Sequence, residues 1–237
     1  MSTSFFPSVN LEAIGKWREE LPSDLRQHLL QVYGMLLLTV ASAAGGAYAN
    51  QYGQYGGMLS SLASFGLLFA IMGSAPSPQN LLPRLALLLS FGFLMGTSLG
   101  PALAAVVYLE DPSIVFSAFL GTALVFTCFS AAAFLAVRRS LLYLYGSLSS
   151  ALSLLCLVSF ANLFARSQLL FDLNLYVGLV VFIGFVLVDT QIMIERFYSG
   201  VADPVKDSLS LFLDALNIFV RLLQILRKNN NKKKNNK

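Results

Sequence analysis

Long stretches without a charged residue constrain this chain more than any other feature of its sequence. No aspartate, glutamate, lysine or arginine occurs in five of them: residues 29–83, 85–109, 112–137, 140–165 and 173–188. A helix needs about 20 apolar residues to cross the hydrocarbon core of a bilayer. Every stretch except the last reaches that length, and the first is long enough for two crossings. The sequence therefore predicts a multi-pass membrane protein.

Composition supports this class, because 56% of the residues are hydrophobic and only 12% are charged, against roughly a quarter charged in soluble domains. We predict an all-α membrane helical bundle. Its helices are expected near 29–49, 56–73, 85–107, 113–137, 141–160 and 173–193, with a seventh, weaker one near 207–226. The predicted organisation is a polar cytosolic head at 1–27, the bundle at 28–226 and a basic tail at 227–237.

Loop charges predict the orientation, because positive residues favour the cytosolic side. Arg84 lies between the second and third predicted spans, and Arg138 and Arg139 lie between the fourth and fifth, so these loops are on one side of the membrane. Glu110 and Asp111 lie between the third and fourth spans, on the other side. We therefore expect the N-terminus and the arginine loops in the cytosol. The tail conflicts with this pattern, because seven crossings would carry its six basic residues to the other side. We expect a cytosolic tail and a re-entrant last segment, with a full crossing as the alternative.

A row of three glycines indicates close helix packing in the third segment. Gly92, Gly96 and Gly100 are four residues apart. Small residues at this spacing lie on one helix face and let two helix backbones approach each other. We therefore expect another helix to pack tightly on this row.

Two aspartates differ from the other acidic residues because they lie inside predicted spans. Asp189 ends an uncharged run, and Asp214 lies within the seventh segment. Ionisable residues in spans are costly and are candidates for function. The midpoint between them falls at Gly200 and Val201, in a segment that is typical of a turn. If the last two helices form an antiparallel hairpin about it, the two carboxylates lie at similar depth and can meet.

A polar stripe follows one face of the seventh segment. Residues three and four positions apart share a helix face, and polar residues recur at these spacings: Asp207, Ser210, Asp214, Asn217, Arg221, Gln224 and Lys228. In lipid such a face must turn toward protein or a water-filled cavity. We predict that the stripe lines an aqueous path. The alternative is a helix that lies on the membrane surface with its stripe in water.

A carboxylate pair is suited to cations and protons. Two carboxylates in a poorly hydrated site share a proton, so the charge of the pair depends on pH. They also offer calcium hard oxygen ligands, although too few for a tight cage. We expect Asp189 and Asp214 to sense pH and to bind calcium transiently in an ion path, with Arg84, or else Arg138 or Arg139, as a possible gate partner. No cofactor is expected, since calcium is the transported ion. A polar pair that only joins two helices is the alternative.

The chain also resembles a known family, the Bax inhibitor family of transmembrane Bax inhibitor motif proteins, and in particular its endoplasmic-reticulum branch. The resemblance starts near Leu29 and continues to the end. It rests on the segments V-Y-G-M-L-L-L-T-V-A-S-A-A-G-G-A-Y, G-T-S-L-G-P-A-L, D-P-S-I-V-F-S-A-F-L-G-T-A-L-V-F-T-C-F, N-L-Y-V-G-L-V-V-F-I-G-F-V-L-V-D-T-Q and S-L-F-L-D-A-L-N-I-F. It implies seven helices around a central last helix.

The resemblance also implies a function. The family's paired aspartates correspond to Asp189 and Asp214, within intact V-D-T-Q and F-L-D-A-L-N segments, and an arginine that can engage an acid corresponds to Arg84. The implied function is a pH-sensitive calcium leak channel of the endoplasmic reticulum membrane that suppresses cell death. The implied partners are membrane lipid, calcium, protons and cell-death regulators of the Bcl-2 type, without nucleic acid.

Three other functions remain open at this stage. An intramembrane aspartyl protease would use the same two acids, but the residues V-L-V before Asp189 do not fit its G-x-G-D pattern, so we do not expect an enzyme. A cell-death regulator would act by binding partners, with structural aspartates. A proton-coupled calcium antiporter would differ from a leak by moving calcium uphill.

Overall fold

The computed structural model describes residues 22–53, 56–136 and 141–235. Within these ranges the regular structure is entirely helical. The seven α-helices are α1 Ser23–Gly53, α2 Met58–Gly73, α3 Leu81–Leu109, α4 Pro112–Leu135, α5 Leu144–Ala165, α6 Gln168–Tyr198 and α7 Pro204–Asn235, and a 3₁₀ turn covers Pro78–Asn80. The predicted all-α bundle is confirmed. The segment expected to be weakest forms the longest helix, with 32 residues.

Six of the described helices, all except α2, are long and apolar enough to cross a membrane. Helix α2 is a shorter apolar helix of 16 residues. Large apolar side chains point outward from the bundle, for example Leu59, Leu163 and Phe164. Such a surface suits contact with lipid, because a soluble protein rarely exposes large contiguous apolar patches. The protein is a multi-pass membrane protein.

The helices alternate in direction, so the bundle has two ends. The start of α1 and the α2–α3, α4–α5 and α6–α7 connections lie at what we call the first end, where Arg84 reaches Asp203. The remaining connections and the C-terminal part of α7 lie at the second end, where Arg227 reaches Glu110. Helix α2 runs back alongside α3, with its Ser60 3.1 Å from Ser98 of α3 near the second end.

The glycine row on α3 packs against α1, as the spacing predicts. A Cβ atom on Gly92 would lie 2.8 Å from the carbonyl oxygen of Thr39, and one on Gly96 would overlap the carbonyl of Ala43. The hydroxyl of Ser42 donates a hydrogen bond of 2.8 Å to the carbonyl of Leu89. Larger residues at these positions would separate the two helices.

Helix α7 lies at the centre of the described bundle and packs against every other helix except α5. Its Val205, Leu209, Leu211 and Phe212 are buried in the largest hydrophobic cluster. Phe212 meets Phe91 of α3 edge to face, with ring centroids 6.1 Å apart. The hydroxyl of Ser208 donates a hydrogen bond of 2.8 Å to the carbonyl of Val32 on α1. The predicted central position of the last helix is confirmed.

The expectation of a re-entrant last segment with its tail beside the N-terminus is wrong. Helix α7 continues from Pro204 to Asn235 without a break, and its C-terminal part lies at the second end. Arg227 pairs with Glu110 at 2.5 Å, and Lys228 pairs with Asp172. The charge rule counts basic residues alone, whereas acids supplied by other helices neutralise part of the tail.

Helical structure extends into the segments that were predicted as head and tail. Helix α1 begins at Ser23, inside the predicted head, and the predicted tail continues α7 as a helix as far as Asn235. Arg138, Arg139, Lys237 and residues 1–21 lie outside the described residues.

Candidate functional site

Helices α6 and α7 form the predicted antiparallel hairpin. Helix α6 ends at Tyr198, and α7 starts at Pro204. Gly200 has a φ of 73°, a backbone conformation that glycine adopts with little steric cost. Its amide donates to the carbonyl of Phe197 at 3.1 Å. Pro204 then suits the first position of a helix, where no amide hydrogen is needed. The turn predicted from Gly200 and Pro204 is confirmed.

The polar stripe of α7 faces α6 along most of its length. The facing groups, from the first end to the second, are Asp207 with Arg196, Asp214 with Asp189, Arg221 with Phe182 and Gly178, and Lys228 with Asp172. Each successive contact lies about two turns further along α7 and about two turns nearer the start of α6, as expected for antiparallel helices. Ser210 and Gln224, also on the stripe, are partly buried. The stripe therefore faces protein, as a polar face must in lipid.

Asp189 and Asp214 lie near the middle of the hairpin. Asp214 is about ten residues into α7, roughly 15 Å at 1.5 Å per residue, and Asp189 is at a similar depth in α6. This distance from the turn is about half the thickness of a hydrocarbon core of roughly 30 Å. Asp214 is buried, and Asp189 is partly buried. The negative charge of Asp189 acts on Asp214, so the hairpin brings the two predicted site residues together.

The negative charges of the aspartate pair are not balanced by positive side chains nearby among the described residues. Among the described residues, no lysine, arginine or histidine lies within ion-pair distance of either carboxylate. The Oδ2 atom of Asp214 is buried and has no hydrogen-bond partner there. Asp189 feels the positive charge of Arg196 and the negative charge of Asp207, both closer to the first end. Such a pair can hold a proton or a cation.

Arg84 lies at the first end of the bundle and engages an acid that the sequence did not suggest. Its Nη1 and Nη2 atoms donate to the two carboxylate oxygens of Asp203 at 2.9 and 2.8 Å, and its Nε donates to the hydroxyl of Ser74 at 2.8 Å. Arg84 and Asp203 are both buried. Arg84 was suggested as a partner of the aspartate pair, but in this structure its carboxylate partner is Asp203.

Opposing effects set the pKa of Asp203. Burial favours the neutral acid, but the hydrogen bonds from Arg84 and from the backbone amide of Lys206 favour the carboxylate. Together they hold the pKa of Asp203 below its usual range. Through the hydrogen bond from the Lys206 amide, Asp203 caps the start of α7. An aspartate directly before a proline at the first helical position is a typical N-cap signal. That signal was available in the sequence, whereas the pairing with Arg84, 119 residues away, was not.

Asp207 carries a second ion-pair cluster at the first end. Its Oδ1 accepts from Nη1 of Arg196 at 2.7 Å, and its Oδ2 lies 3.3 Å from Nε2 of His28. The His28 ring lies 5.5 Å from that of Phe197. Asp207 is buried, and Arg196 is partly exposed. The first turn of the stripe therefore has an arginine partner, in contrast to Asp214.

The second half of the stripe is positively charged. Arg221 lies beyond Asp214, with its guanidinium carbon 4.6 Å from the centre of the Phe182 ring and Nη1 donating to the amide oxygen of Asn217 at 3.1 Å. Lys228 follows and pairs with Asp172. Asp172 also accepts from the Gln168 amide at 3.1 Å. No group of three or more histidine, cysteine, aspartate or glutamate side chains comes together in the described ranges.

The chain is similar to proteins of a known family. The family described as inhibitor of apoptosis-promoting Bax1 matches residues 25–231. Bax inhibitor 1 of Homo sapiens is 44% identical over 98% of this chain and 98% of its own length. Bax inhibitor 1 of Bos taurus is 43% identical over 98% and 99%, and that of Arabidopsis thaliana is 39% identical over 96% and 93%. With a match across both helices of the hairpin and nearly all of the bundle, this chain belongs to the Bax inhibitor family.

Proposed function

We propose that this protein is a pH-sensitive calcium leak channel of the endoplasmic reticulum membrane that suppresses cell death. The aspartate pair Asp189 and Asp214 is its cation and proton site. The observation that carries the proposal is that two acids face each other within the α6–α7 hairpin, about 15 Å from its turn, without a cationic partner among the described residues. An uncompensated acid there is costly, so a functional role explains its presence better than a structural one.

The chemistry of the pair supports a leak rather than storage. Two carboxylates give calcium hard oxygen ligands. Calcium usually takes six to eight oxygens, so the remaining ligands would be water or backbone oxygens. A site with few protein ligands holds an ion weakly and lets it leave. Protons compete for the same oxygens, and the flux therefore depends on pH.

The two ends of the stripe suggest how the path is closed. At the first end, Asp207 is held by Arg196 and lies next to His28. Toward the second end, Arg221 and Lys228 place positive charge on the same helix face as Asp214. Separation of these contacts would expose Asp189 and Asp214 to water. The structure described here is thus a closed state in this proposal.

Reconstitution in liposomes tests the proposal. Purified protein is placed in liposomes loaded with a calcium dye, and calcium entry is recorded at several values between pH 5 and pH 8. We expect entry above that of empty liposomes, with a rate that changes across this range. The double variant Asp189→Asn, Asp214→Asn should have a low rate without this pH dependence. Equal rates and equal pH profiles for the wild type and the double variant would exclude the aspartate pair as the site.

The same liposomes separate a leak from an antiporter. A leak stops when the calcium concentrations on the two sides are equal, whereas a proton-coupled antiporter moves calcium uphill when a proton gradient is imposed. We expect no uphill movement. Accumulation of calcium against its gradient would replace the leak with coupled transport.

A second candidate function is suppression of cell death through a protein partner. It is favoured by the family description, which names its members inhibitors of apoptosis-promoting Bax1. In this case the aspartates would be structural, and Asp214→Asn would suppress cell death as well as the wild type while calcium flux is lost. Parallel loss of both activities supports the leak as the basis of suppression.

A further inference from the structure

In the proposed cation path Arg221 helps to close the second end, but this role does not explain why its charge has no acid partner among the described residues. A guanidinium on the wall of a cation path repels the ion, and an arginine inside a membrane protein normally pairs with an acid. Among the described residues, Arg221 has no carboxylate within ion-pair distance. The nearest acid on its own helix face is Asp214, about 10 Å away along α7, and the next cation, Lys228, already has Asp172 as its partner.

The local structure makes room for this guanidinium. Gly178 of α6 lies directly against Arg221, and a Cβ atom at position 178 would overlap the guanidinium. Glycine inside a helix lowers stability by roughly 0.5–1 kcal/mol relative to alanine. Phe182 supports one face of the guanidinium, and Asn217 accepts from Nη1. The Nε–H group is buried and has no acceptor among the described residues.

Arg221 lines a cavity of about 340 Å³ between α5, α6 and α7. Its polar lining is formed by Ser159, Asn162, Asn174, Arg221 and Gln224. Ligand pockets commonly have volumes of 300–1,000 Å³ and a few convergent polar groups. Among the described residues of α5 only Leu155 is buried, so most of this helix, which forms one wall of the cavity, is open to lipid.

The cavity lies close to the second end of the bundle. Asn162 is near the C-terminus of α5, and Asn174 is near the N-terminus of α6. Ser159 and Asn174 are each about six residues, or roughly 9 Å, from the helix ends that meet at the α5–α6 connection. This depth is within reach of a lipid headgroup.

We propose that this cavity, hereafter the Arg221 cavity, binds a phosphate group. Arginine binds phosphate with parallel hydrogen bonds, and the free Nε–H of Arg221 supplies such a donor. The amides of Asn162 and Gln224 and the hydroxyl of Ser159 add neutral hydrogen-bonding groups without negative charge, while the Asn174 amide donates to Ser159 and to the carbonyl of Leu155. Basic pockets between membrane helices bind anionic headgroups. The phosphate is carried by a lipid headgroup that enters between α5 and α6, or by a free phosphate ion.

Binding of defined compounds to purified protein in detergent micelles tests this proposal. The probes are phosphatidylglycerol, diacylglycerol with the same acyl chains, and inorganic phosphate, and the readouts are bound lipid by native mass spectrometry and the shift in Tm. We expect phosphatidylglycerol to be retained and to raise the Tm, and diacylglycerol to do neither. If inorganic phosphate raises the Tm as much as phosphatidylglycerol does, the ligand is the free phosphate ion. If only phosphatidylglycerol raises the Tm, the ligand is the lipid headgroup.

Matched variants connect binding to the cavity. Arg221→Gln should weaken phosphatidylglycerol binding at least tenfold, whereas Lys232→Gln, which removes an exposed charge from the same end of α7, should keep it. Ser159→Leu narrows the cavity from the lipid side while retaining Arg221, and it should also weaken binding. This variant decides the question if Arg221→Gln does not fold. Undiminished binding in both cavity variants, or equal losses in Arg221→Gln and Lys232→Gln, would overturn the proposal.

Discussion

The acids at the first end of the hairpin and the acids at its middle have opposite surroundings. Asp203 and Asp207 are buried, and each has an arginine within 3 Å. Asp189 and Asp214 lie two or more turns deeper and have no cation within ion-pair distance among the described residues. A paired acid stabilises the fold, whereas an unpaired acid costs stability. The comparison favours a structural role for the first end and supports the ion binding that we propose for the middle.

The largest effect is expected at Arg84. Its replacement by methionine leaves the carboxylate of Asp203 buried without its main partner, so stability should fall by about 3–5 kcal/mol. Lys206→Met removes the weaker, partly exposed partner of the same acid, 4.0 Å away, and should cost less than about 1 kcal/mol. Unfolding in micelles measures both. Similar losses for the two variants would mean that the buried pair does not hold the first end together.

Asparagine at position 203 should have a different effect from asparagine at position 214. Asp203→Asn leaves Arg84 buried without a counter-charge and should cost about 3–5 kcal/mol. Asp214→Asn removes a charge whose principal charged neighbour is another acid, so stability should stay within about 1 kcal/mol of the wild type. The Tm values of the two variants give the answer. A large loss for Asp214→Asn would assign a structural role to the middle of the hairpin.

The Arg84–Asp203 pair at the first end should not respond to pH in the range proposed for the flux. The folded-state pKa of Asp203 is lower than usual, so its stabilisation is fully present above the unfolded value of about 3.9 and is lost as pH falls through the folded value. The contribution of the Arg84–Asp203 pair to stability should therefore be constant from pH 5 to pH 8. A double-mutant cycle with Arg84→Met and Asp203→Asn, measured at pH 5, 6, 7 and 8, checks this. A coupling energy that changes across these values would place a pH response at the first end.

The smallest effect is expected at Arg196. Its side chain is 42% exposed, and solvent weakens its attraction to Asp207, which also has His28 beside it. Arg196→Gln should therefore lower stability by about 1 kcal/mol or less. The measurement is again the Tm in micelles. A loss as large as that of Arg84→Met would show that Asp207 depends on Arg196 alone.

The features that local spacing defines could be predicted from the sequence. Gly200 and Pro204 indicated the turn, and the three- and four-residue spacing of the stripe indicated one helix face. From these the meeting of Asp189 and Asp214 followed by symmetry about the turn. The partners of Asp203 and Arg227 could not be predicted, since they belong to distant helices whose relative positions depend on the packing of the whole bundle. The path of the last helix could not be predicted for the same reason, because Glu110 and Asp172 meet its C-terminal part only in the folded protein.

Calcium flux through Asp214→Asn tests the central claim most directly. The variant is compared in liposomes with the wild type and with Asp24→Asn, which removes an exposed acid from the start of α1, at equal amounts of folded protein. A lost interaction with a charged group is worth about 1.5–3 kcal/mol, and 1.4 kcal/mol is a factor of ten. We expect the flux of Asp214→Asn to fall at least about tenfold and that of Asp24→Asn to remain unchanged. Wild-type flux through a folded Asp214→Asn protein would contradict the account.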